Sequence, residues 1–297
     1  MEGEVNLKRD VLTIPEVLAR VKPREINVPD KTVFMGSGSS FHVALYAKYI
    51  YLSRGVWCDA RDTGSYGIGP VKSAVVISVS GGKDAVKMAK WAKEKGAYVS
   101  LITCNKNALA SEVADDVHFV TEREGGFVNT RTIVAMMYYI AGAAGVKGLD
   151  TLPQVIEERF KAESTFISTL AGKTPGRPVW FVGGGYTYVA ALQAALKLRE
   201  VTGVLTCPVS FEEFFHGRVF HRDNSLFVLI NRHGGVEKFL SEAGLEYYAL
   251  ECRLNGPLST IEALSLLYLL VEEVRVKLGV KSMPLLNLAK KYAGWRV

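Results

Sequence analysis

The stretch RPVWFVGGGYTYVAALQAALKLREVTGVLTCPVSFEEFFHGR, Arg177 to Arg218, contains the pattern on which the fold turns. Val179–Val182 has the length and the β-branched and aromatic content of a buried strand. Gly183, Gly184 and Gly185 follow, and Thr187 is expected to cap a helix from Tyr188 to about Thr202, stopped by Gly203. Strand, glycine turn and helix N-terminus make a place where backbone N–H groups can meet an anion. Lys197 and Glu200 are three residues apart and so share one helix face. Glu213 and His216 are also three apart, in FEEFFHGR. A carboxylate, an amine and an imidazole within one short region are groups that move protons.

The same pattern occurs earlier. VFMGSGSSFHVAL at Val33–Leu45 aligns with WFVGGGYTYVAAL at Trp180–Leu192, 147 residues on. The strand Ala74–Ser78 with its turn SVSGGKD has a counterpart in Leu226–Ile230 with INRHGG, and the strand at Tyr98 one in Leu245–Leu250. A period this long indicates a duplicated domain and not a solenoid. Strands alternate with helices, which argues for an α/β fold with parallel sheets covered on both faces. The expected division is an N-terminal helical extension (1–30), a first domain (31–147), a linker helix (148–176), a second domain (177–276) and a tail (277–297).

Composition bounds the function classes. The chain has 297 residues, 48% hydrophobic and 22% charged, with a net charge of +6. Lys and Arg are scattered, so anionic small molecules suit it and no nucleic-acid surface is required. Cys58, Cys104, Cys207 and Cys252 show no C-x-x-C or zinc spacing, which reads as reduced thiols in a cytoplasmic protein with no metal. MEGEVNLKRD lacks the apolar core of a signal peptide. Ile261–Val274 is interrupted by Glu262, Glu272 and Glu273, so it reads as a core helix and not a membrane span. Only two Gln occur, a composition that points to a hot-growing source.

In the first half, GSGSS (Gly36–Ser40) and SVSGGKD (Ser78–Asp84) follow strands. Strand C-termini of an open parallel sheet converge on a ligand crevice. Ser39, Ser40, Ser78 and Ser80 offer hydroxyls there, Gly38 and Gly81 open the backbone, and Lys83 adds charge, a set that suits a phosphate monoester. The spacing is neither G-x-G-x-x-G nor a Walker loop, which excludes a nicotinamide cofactor and a nucleotide-binding P-loop. No G-x-S-x-G supports a hydrolase triad. His42, His118, His221 and His233 are read as structural.

Two strand–glycine turn–helix copies, the S-x-S-G turn, ALKLRE and E-x-x-H-G together resemble the sugar isomerase (SIS) domain family. The likeness is strongest to the isomerase half of glucosamine-6-phosphate synthase and to stand-alone glucosamine-6-phosphate deaminases. It covers about residues 30 to 297. It implies two tandem SIS domains, each with a flavodoxin-like parallel sheet, and a homodimer with shared sites. By the same resemblance, Gly38, Ser39, Ser40, Ser78, Ser80 and Gly81 match phosphate-binding turns, and Glu200 the residue that moves a proton between C1 and C2. Lys197 matches a lysine beside it, His216 a ring-opening histidine from the neighbouring subunit, and Lys290 a tail lysine that meets the sugar carbonyl. Asn129, in EGGFVNT, lies in the matching substrate loop, and Glu213 beside His216 is placed with the substrate contacts. Lys83 stands where the family usually has a hydroxyl, Gly82 where it often has Glu, Asn129 where it has Ser, and HGR where it has HGP. The synthase's glutaminase part is expected to be absent. The implied reaction is conversion of glucosamine 6-phosphate to fructose 6-phosphate and ammonia, without cofactor. Isomerisation of glucose or mannose 6-phosphate and non-catalytic binding of a sugar phosphate are the alternatives. A sensor needs the serine turns but not Glu200, His216 and Lys290.

Overall fold

The structure, a computed structural model, describes residues 7–65, 69–125, 128–216 and 224–281. Two short helices open it, α1 (Leu7–Leu12) and α2 (Ile14–Arg20), where the sequence suggested one. There follow β1 (Thr32–Met35), α3 (Ser39–Ser53), β2 (Cys58–Arg61), β3 (Ser73–Ser78), α4 (Lys83–Glu94) and β4 (Tyr98–Thr103). A 3-10 turn (Leu109–Glu112), β5 (Asp116–Phe119) and α5 (Arg131–Ala143) complete this half. The connection expected to hold one helix holds two, α6 (Leu152–Ala162) and α7 (Ser164–Lys173), which meet at Glu163. Then come β6 (Val179–Gly183), α8 (Tyr186–Thr202), β7 (Thr206–Ser210), α9 (Phe211–Phe214) and β8 (Leu226–Ile230). The last elements are α10 (Gly234–Glu242), β9 (Tyr247–Leu250) and α11 (Pro257–Lys277).

The strands form two sheets, ordered β2-β1-β3-β4-β5 and β7-β6-β8-β9, with every pairing parallel. The expected α/β arrangement of parallel sheets flanked by helices is therefore present. Parallel strands are buried on both faces and read as unbroken apolar runs. SAVVIS in β3 and LFVLI in β8 are such runs, and β8 is buried along its whole length. In each sheet the order reverses beside the first strand of its half, between β1 and β3 and between β6 and β8. This is the position at which open parallel sheets leave a crevice.

The inner faces of both sheets bury against one common layer. Phe34, Val75 and Ile77 of the first sheet and Phe181, Val228 and Ile230 of the second share one apolar cluster with α3, α5, α8 and α11. The outer face of the first sheet packs on α4, whose Ala85, Met88, Ala89 and Ala92 form a buried stripe at helical spacing. The outer face of the second packs on Phe214, Val236 and Leu240.

α11 is buried around most of its length, including Glu262 and Glu272, two of the three acids that break its apolar pattern. A buried carboxylate without partners costs several kcal/mol, and both buried acids have partners. Glu262 accepts hydrogen bonds from the backbone N–H groups of Arg253 and Leu254, each at 2.9 Å, and lies 3.5 Å from the buried Arg159 guanidinium. Glu272 pairs with Arg275 at 2.7 Å. Among the described residues no helix is long and apolar enough to cross a membrane.

Candidate active site

The two turns that follow β1 and β6 have the same backbone. Gly38 caps α3 with φ 54°, ψ −123°, and Gly185, 147 residues later, caps α8 with φ 53°, ψ −119°. Such a conformation is open to glycine and strained for other residues. Thr187, expected as the cap, lies inside the first turn of α8, where its hydroxyl accepts from the Gly184 N–H at 3.0 Å.

The surroundings of the two turns differ. Around Gly38 the space is open, and Ser37 and Gly38 are exposed with no side-chain cap on α3. Ser39 is half-buried and Ser40 buried in the first turn of α3. The neighbouring turn after β3 contributes Ser78, whose hydroxyl accepts from the Gly81 N–H at 3.1 Å. Gly81 itself is pressed against Ala108, so its role is close packing as well as turn geometry. Ser80 and Lys83 are exposed beside it, Lys83 in the first turn of α4. The second turn differs at its middle glycine. A Cβ on Gly184 would lie 2.5 Å from the Phe211 ring, and that ring stacks on His233 at 4.5 Å. Gly185, like Gly38, is exposed with open space around it.

α8 carries Gln193, Lys197 and Glu200 at i, i+4 and i+7, one helix face. Gln193 is fully buried, and its amide donates to the Ser39 carbonyl at 2.9 Å, which ties this face to the start of α3. Lys197 Nζ lies 2.6 Å from Glu200 Oε2, with the lysine side chain 4% exposed and the glutamate 36%. The helix buries the amine and leaves the carboxylate at the rim of this chain.

Beside them lies a loop pinned by Glu124. This buried carboxylate accepts from the Thr130 N–H and, at 2.7 Å, from the Thr132 N–H, where α5 begins. Burial raises its pKa, and those N–H groups work against the rise. Tyr268 of α11 is buried within electrostatic reach of both Glu124 and Glu200, and burial raises its pKa well above the usual tyrosine value. Several buried polar atoms in this region have no protein partner in bonding geometry: Asn129 Oδ1, Thr132 Oγ1, Gln193 Oε1, His42 Nδ1 and the Tyr268 hydroxyl. His42 lies against Gln193 and Thr132 against Glu124, so these groups form a buried polar cluster between α3, α5, α8 and α11. Gln193, Glu124 and Tyr268 were not singled out from the sequence and His42 was read as structural: Gln193, His42 and Tyr268 stand in helices of apolar pattern, and Glu124 in a charged loop.

Glu213 and His216 belong to α9 and the residues directly after it. Glu213 caps α9 in a reciprocal box with Ser210, its N–H donating to Ser210 Oγ at 3.0 Å. His216 follows α9 and is exposed. Lys290 lies outside the described residues. His118 and His233 have structural partners: His118 is buried between Tyr139 and Asp116, and His233 Nδ1 accepts from the Val236 N–H at 3.3 Å; His221 lies outside the described residues. The four cysteines are free, and burial pushes the Cys104 and Cys252 thiols up to about 12 and the Cys58 thiol to about 11, so none of these three is a ready nucleophile. Among the described residues no three His, Cys, Asp or Glu side chains group as metal ligands.

No protein-family model matches the chain. Among curated proteins it is similar to the glutamine–fructose-6-phosphate aminotransferase (isomerizing) of Methanothermobacter thermautotrophicus, 26% identical over 241 residues, which are 76% of this chain and 40% of the relative. The chain thus spans well under half the length of such relatives. Among solved structures it is similar to the glucosamine-6-phosphate deaminase of Thermotoga maritima, with TM-score 0.74 and 15% identity over 93% of this chain and 95% of the other. The C-terminal domain of glucosamine-fructose-6-phosphate aminotransferase from Francisella tularensis gives TM-score 0.75 at 17% identity, covering 93% and 97%. Tagatose-6-phosphate ketose/aldose isomerase from Escherichia coli gives 0.73 at 15%, covering 92% of each. At such identities the structural likenesses establish the fold. Sequence and fold together bear out the resemblance of this chain to the sugar isomerase (SIS) domain family.

Proposed function

We propose that this chain is a phosphosugar aldose–ketose enzyme that converts glucosamine 6-phosphate to fructose 6-phosphate and ammonia. The observation that carries the reading is the face of α8: a buried lysine joined to a rim glutamate, tied through Gln193 to the open serine and glycine turn of α3. The phosphate sits on that turn, with Ser39, Ser40, Ser78, Ser80 and Lys83 around it and the N-terminus of α3 facing it. His216 from a partner subunit assists ring opening, and Lys290 and Asn129 contact the open-chain sugar. Glu200 takes the C2 proton and returns it to C1, while the Lys197 ammonium stabilises the negative charge that develops between them. Water then hydrolyses the C2 imine, and ammonia leaves. The chain acts in the cytoplasm as a homodimer of two tandem SIS domains, 31–147 and 177–276, joined through the common helical layer.

A second reading is plain isomerisation of a hexose 6-phosphate. The fold shared with a ketose/aldose isomerase favours it, and it uses the same proton transfer without the imine. One experiment separates the two. The protein is incubated in deuterated water with glucosamine, glucose and mannose 6-phosphates, and ammonia, ketose and deuterium at C1 are followed together. Ammonia in step with ketose supports deamination. Deuterium exchange from a neutral sugar, with no ammonia from the amino sugar, hands the case to the isomerase. No turnover of any of them overturns the enzyme reading.

A further inference from the structure

We propose that Glu124 is a positioning residue for the reaction: it clasps the start of α5 from outside the helix and so holds Asn129, the residue just before that start, against the open-chain sugar; this rests on the phosphosugar reading above. All pairings in the first sheet are parallel, so β1, β3 and β5 end at one edge. The serine turns follow β1 and β3 at that edge, and α5 is the next helix after β5. α3 and α5 pack side by side, which sets the start of α5 next to the α3 turn. A helix start has N–H groups with no partner inside the helix, and Thr130, the cap of α5, makes no side-chain cap bond. Glu124 supplies the bonds instead. Its buried carboxylate accepts from the Thr130 N–H, from the Thr132 N–H at 2.7 Å and from the Thr130 hydroxyl at 3.3 Å. A second tie comes from the N-terminal helices: Arg131 Nη1 donates to Thr13 Oγ1 at 3.2 Å and lies 3.8 Å from the Asp10 carboxylate. Thr130, Arg131 and Thr132 are thereby each fixed, directly after Asn129. A Ser or Asp at the cap would satisfy N–H groups of the helix start without burying a charge in the core. A carboxylate six and eight residues back does one thing more, since it holds both ends of the span that contains Asn129 and removes chain entropy from it. Tyr268 lies within electrostatic reach of both Glu124 and Glu200, so the clasp stands near the proposed base. A reacting group displaced by 1 Å can lose about 10²-fold in rate, and the clasp is the feature that sets the place of this segment.

The test is a double-variant cycle on turnover. Glucosamine, glucose and mannose 6-phosphates are offered, and kcat/KM is taken for the sugar that the parent turns over fastest. Glu124→Gln keeps the side-chain volume, but its amide nitrogen cannot accept, so one of the two N–H bonds is lost. It should lower kcat/KM about 10- to 100-fold and lower the melting temperature as well. Asn129→Ala should lower kcat/KM with little change in melting. In the double variant, Glu124→Gln should cost less than about three-fold further in kcat/KM, because the residue that it positions is gone, whereas its effect on melting should be the same in both backgrounds. Where Glu124→Gln does not give folded protein, Glu124→Asp, which keeps the charge and is one methylene shorter, takes its place in the cycle. Losses in kcat/KM that multiply in the double variant would mean that Glu124 does not act through Asn129, and would overturn the proposal. So would the parent's kcat/KM in Glu124→Gln, whatever its melting temperature, since the clasp would then serve stability alone. Both results leave the phosphosugar reading intact, because the parent turns over a sugar. A parent that turns over none of the three overturns that reading and the proposal with it.

Discussion

Replacing each member of the Lys197–Glu200 pair should have unequal consequences for stability. The pair is 2.6 Å long and unequal, with lysine 4% and glutamate 36% exposed. Removing one partner of a fully buried ion pair costs about 3–5 kcal/mol, because the other charge is stranded. Glu200→Gln strands the lysine. The glutamate already reaches water and the amide oxygen still accepts a hydrogen bond, so the cost falls to about 2 kcal/mol. At about 2–4 °C per kcal/mol for a chain of this size, melting should drop by roughly 4–8 °C. Lys197→Met removes the buried charge and keeps the apolar stem, while Glu200 turns to solvent. Its cost should lie within about 1 kcal/mol of zero. In the double variant the loss caused by Glu200→Gln should vanish, since no charge remains to strand. Turnover of glucosamine 6-phosphate should fall about 10²–10⁴-fold in Glu200→Gln, the usual cost of losing a general base. Scanning calorimetry of the four proteins, with ammonia release measured alongside, checks both halves. A Lys197→Met loss as large as that of Glu200→Gln, or losses that simply add in the double variant, would refute the stranded-charge argument.

Three other outcomes are expected. Gly38→Ala and Gly185→Ala should each cost about 1–3 kcal/mol, since both impose the same left-handed backbone on a side chain; only Gly38→Ala should also lose thermal stabilisation by glucosamine 6-phosphate. A mixture of inactive Glu200→Gln and His216→Ala chains should regain activity on subunit exchange; no recovery in proven mixed dimers removes His216 from a shared site. His42 titrates at about 4 in the folded chain against 6.5 unfolded, so between these values the unfolded chain binds more protons and stability is lost as pH falls. The loss approaches roughly 3 kcal/mol below pH 4. His118, also held low by burial, adds a loss of the same sign, so the comparison is the parent with His42→Leu, whose melting temperature should fall less from pH 7 to pH 4.

Much of the fold was legible because parallel strands announce themselves. Thr32–Met35, Tyr98–Thr103 and Leu226–Ile230 were readable to the residue, each an apolar or β-branched run cut off by a turn. β7 was missed. TCPVS has a proline and little apolar content, and it is tolerated because β7 is the edge of its sheet, where a missing N–H leaves no inner bond unmade. α10 was hidden by the two glycines at its start. The start of α8 was placed two residues late because a positive φ at Gly185 leaves no trace in the letters, whereas the Thr187 hydroxyl is a visible capping signal. In the site, the spacing in ALKLRE put Lys197 and Glu200 on one helix face, and only the family resemblance gave them roles. His42 and Gln193 stand 151 positions apart, and only the packing of α3 on α8 brings them together. Which of the two acquires the deeper burial, Lys197 or Glu200, depends on how far the α8 terminus projects from the common layer, and no pattern in the helix itself records that.

Two copies of one turn need not make two sites. The backbones at Gly38 and Gly185 coincide within a few degrees, so the two helices begin in the same way. The difference lies in the next element along the chain. After β7, Phe211 folds back over Gly184 and stacks on His233, so aromatic rings flank the second turn. In the first half Ser37 stands at the position of Gly184 and is exposed. The second half contributes by a different route, through α8, whose polar face crosses the common layer to the Ser39 carbonyl. Under the proposed reading the halves divide the work: the first holds the phosphate and the second supplies the base and the buried cation. That division explains why the serines stand in one repeat and Lys197 and Glu200 in the other, since a phosphate turn and a proton-transfer pair must face each other across one sugar. It also carries a consequence for Phe211. Phe211→Ala should uncover Gly184 and allow inorganic phosphate to stabilise the protein at a second site, without changing the affinity for glucosamine 6-phosphate at the first. A single phosphate site in Phe211→Ala, as in the parent, would mean that the ring is not what sets the second turn apart.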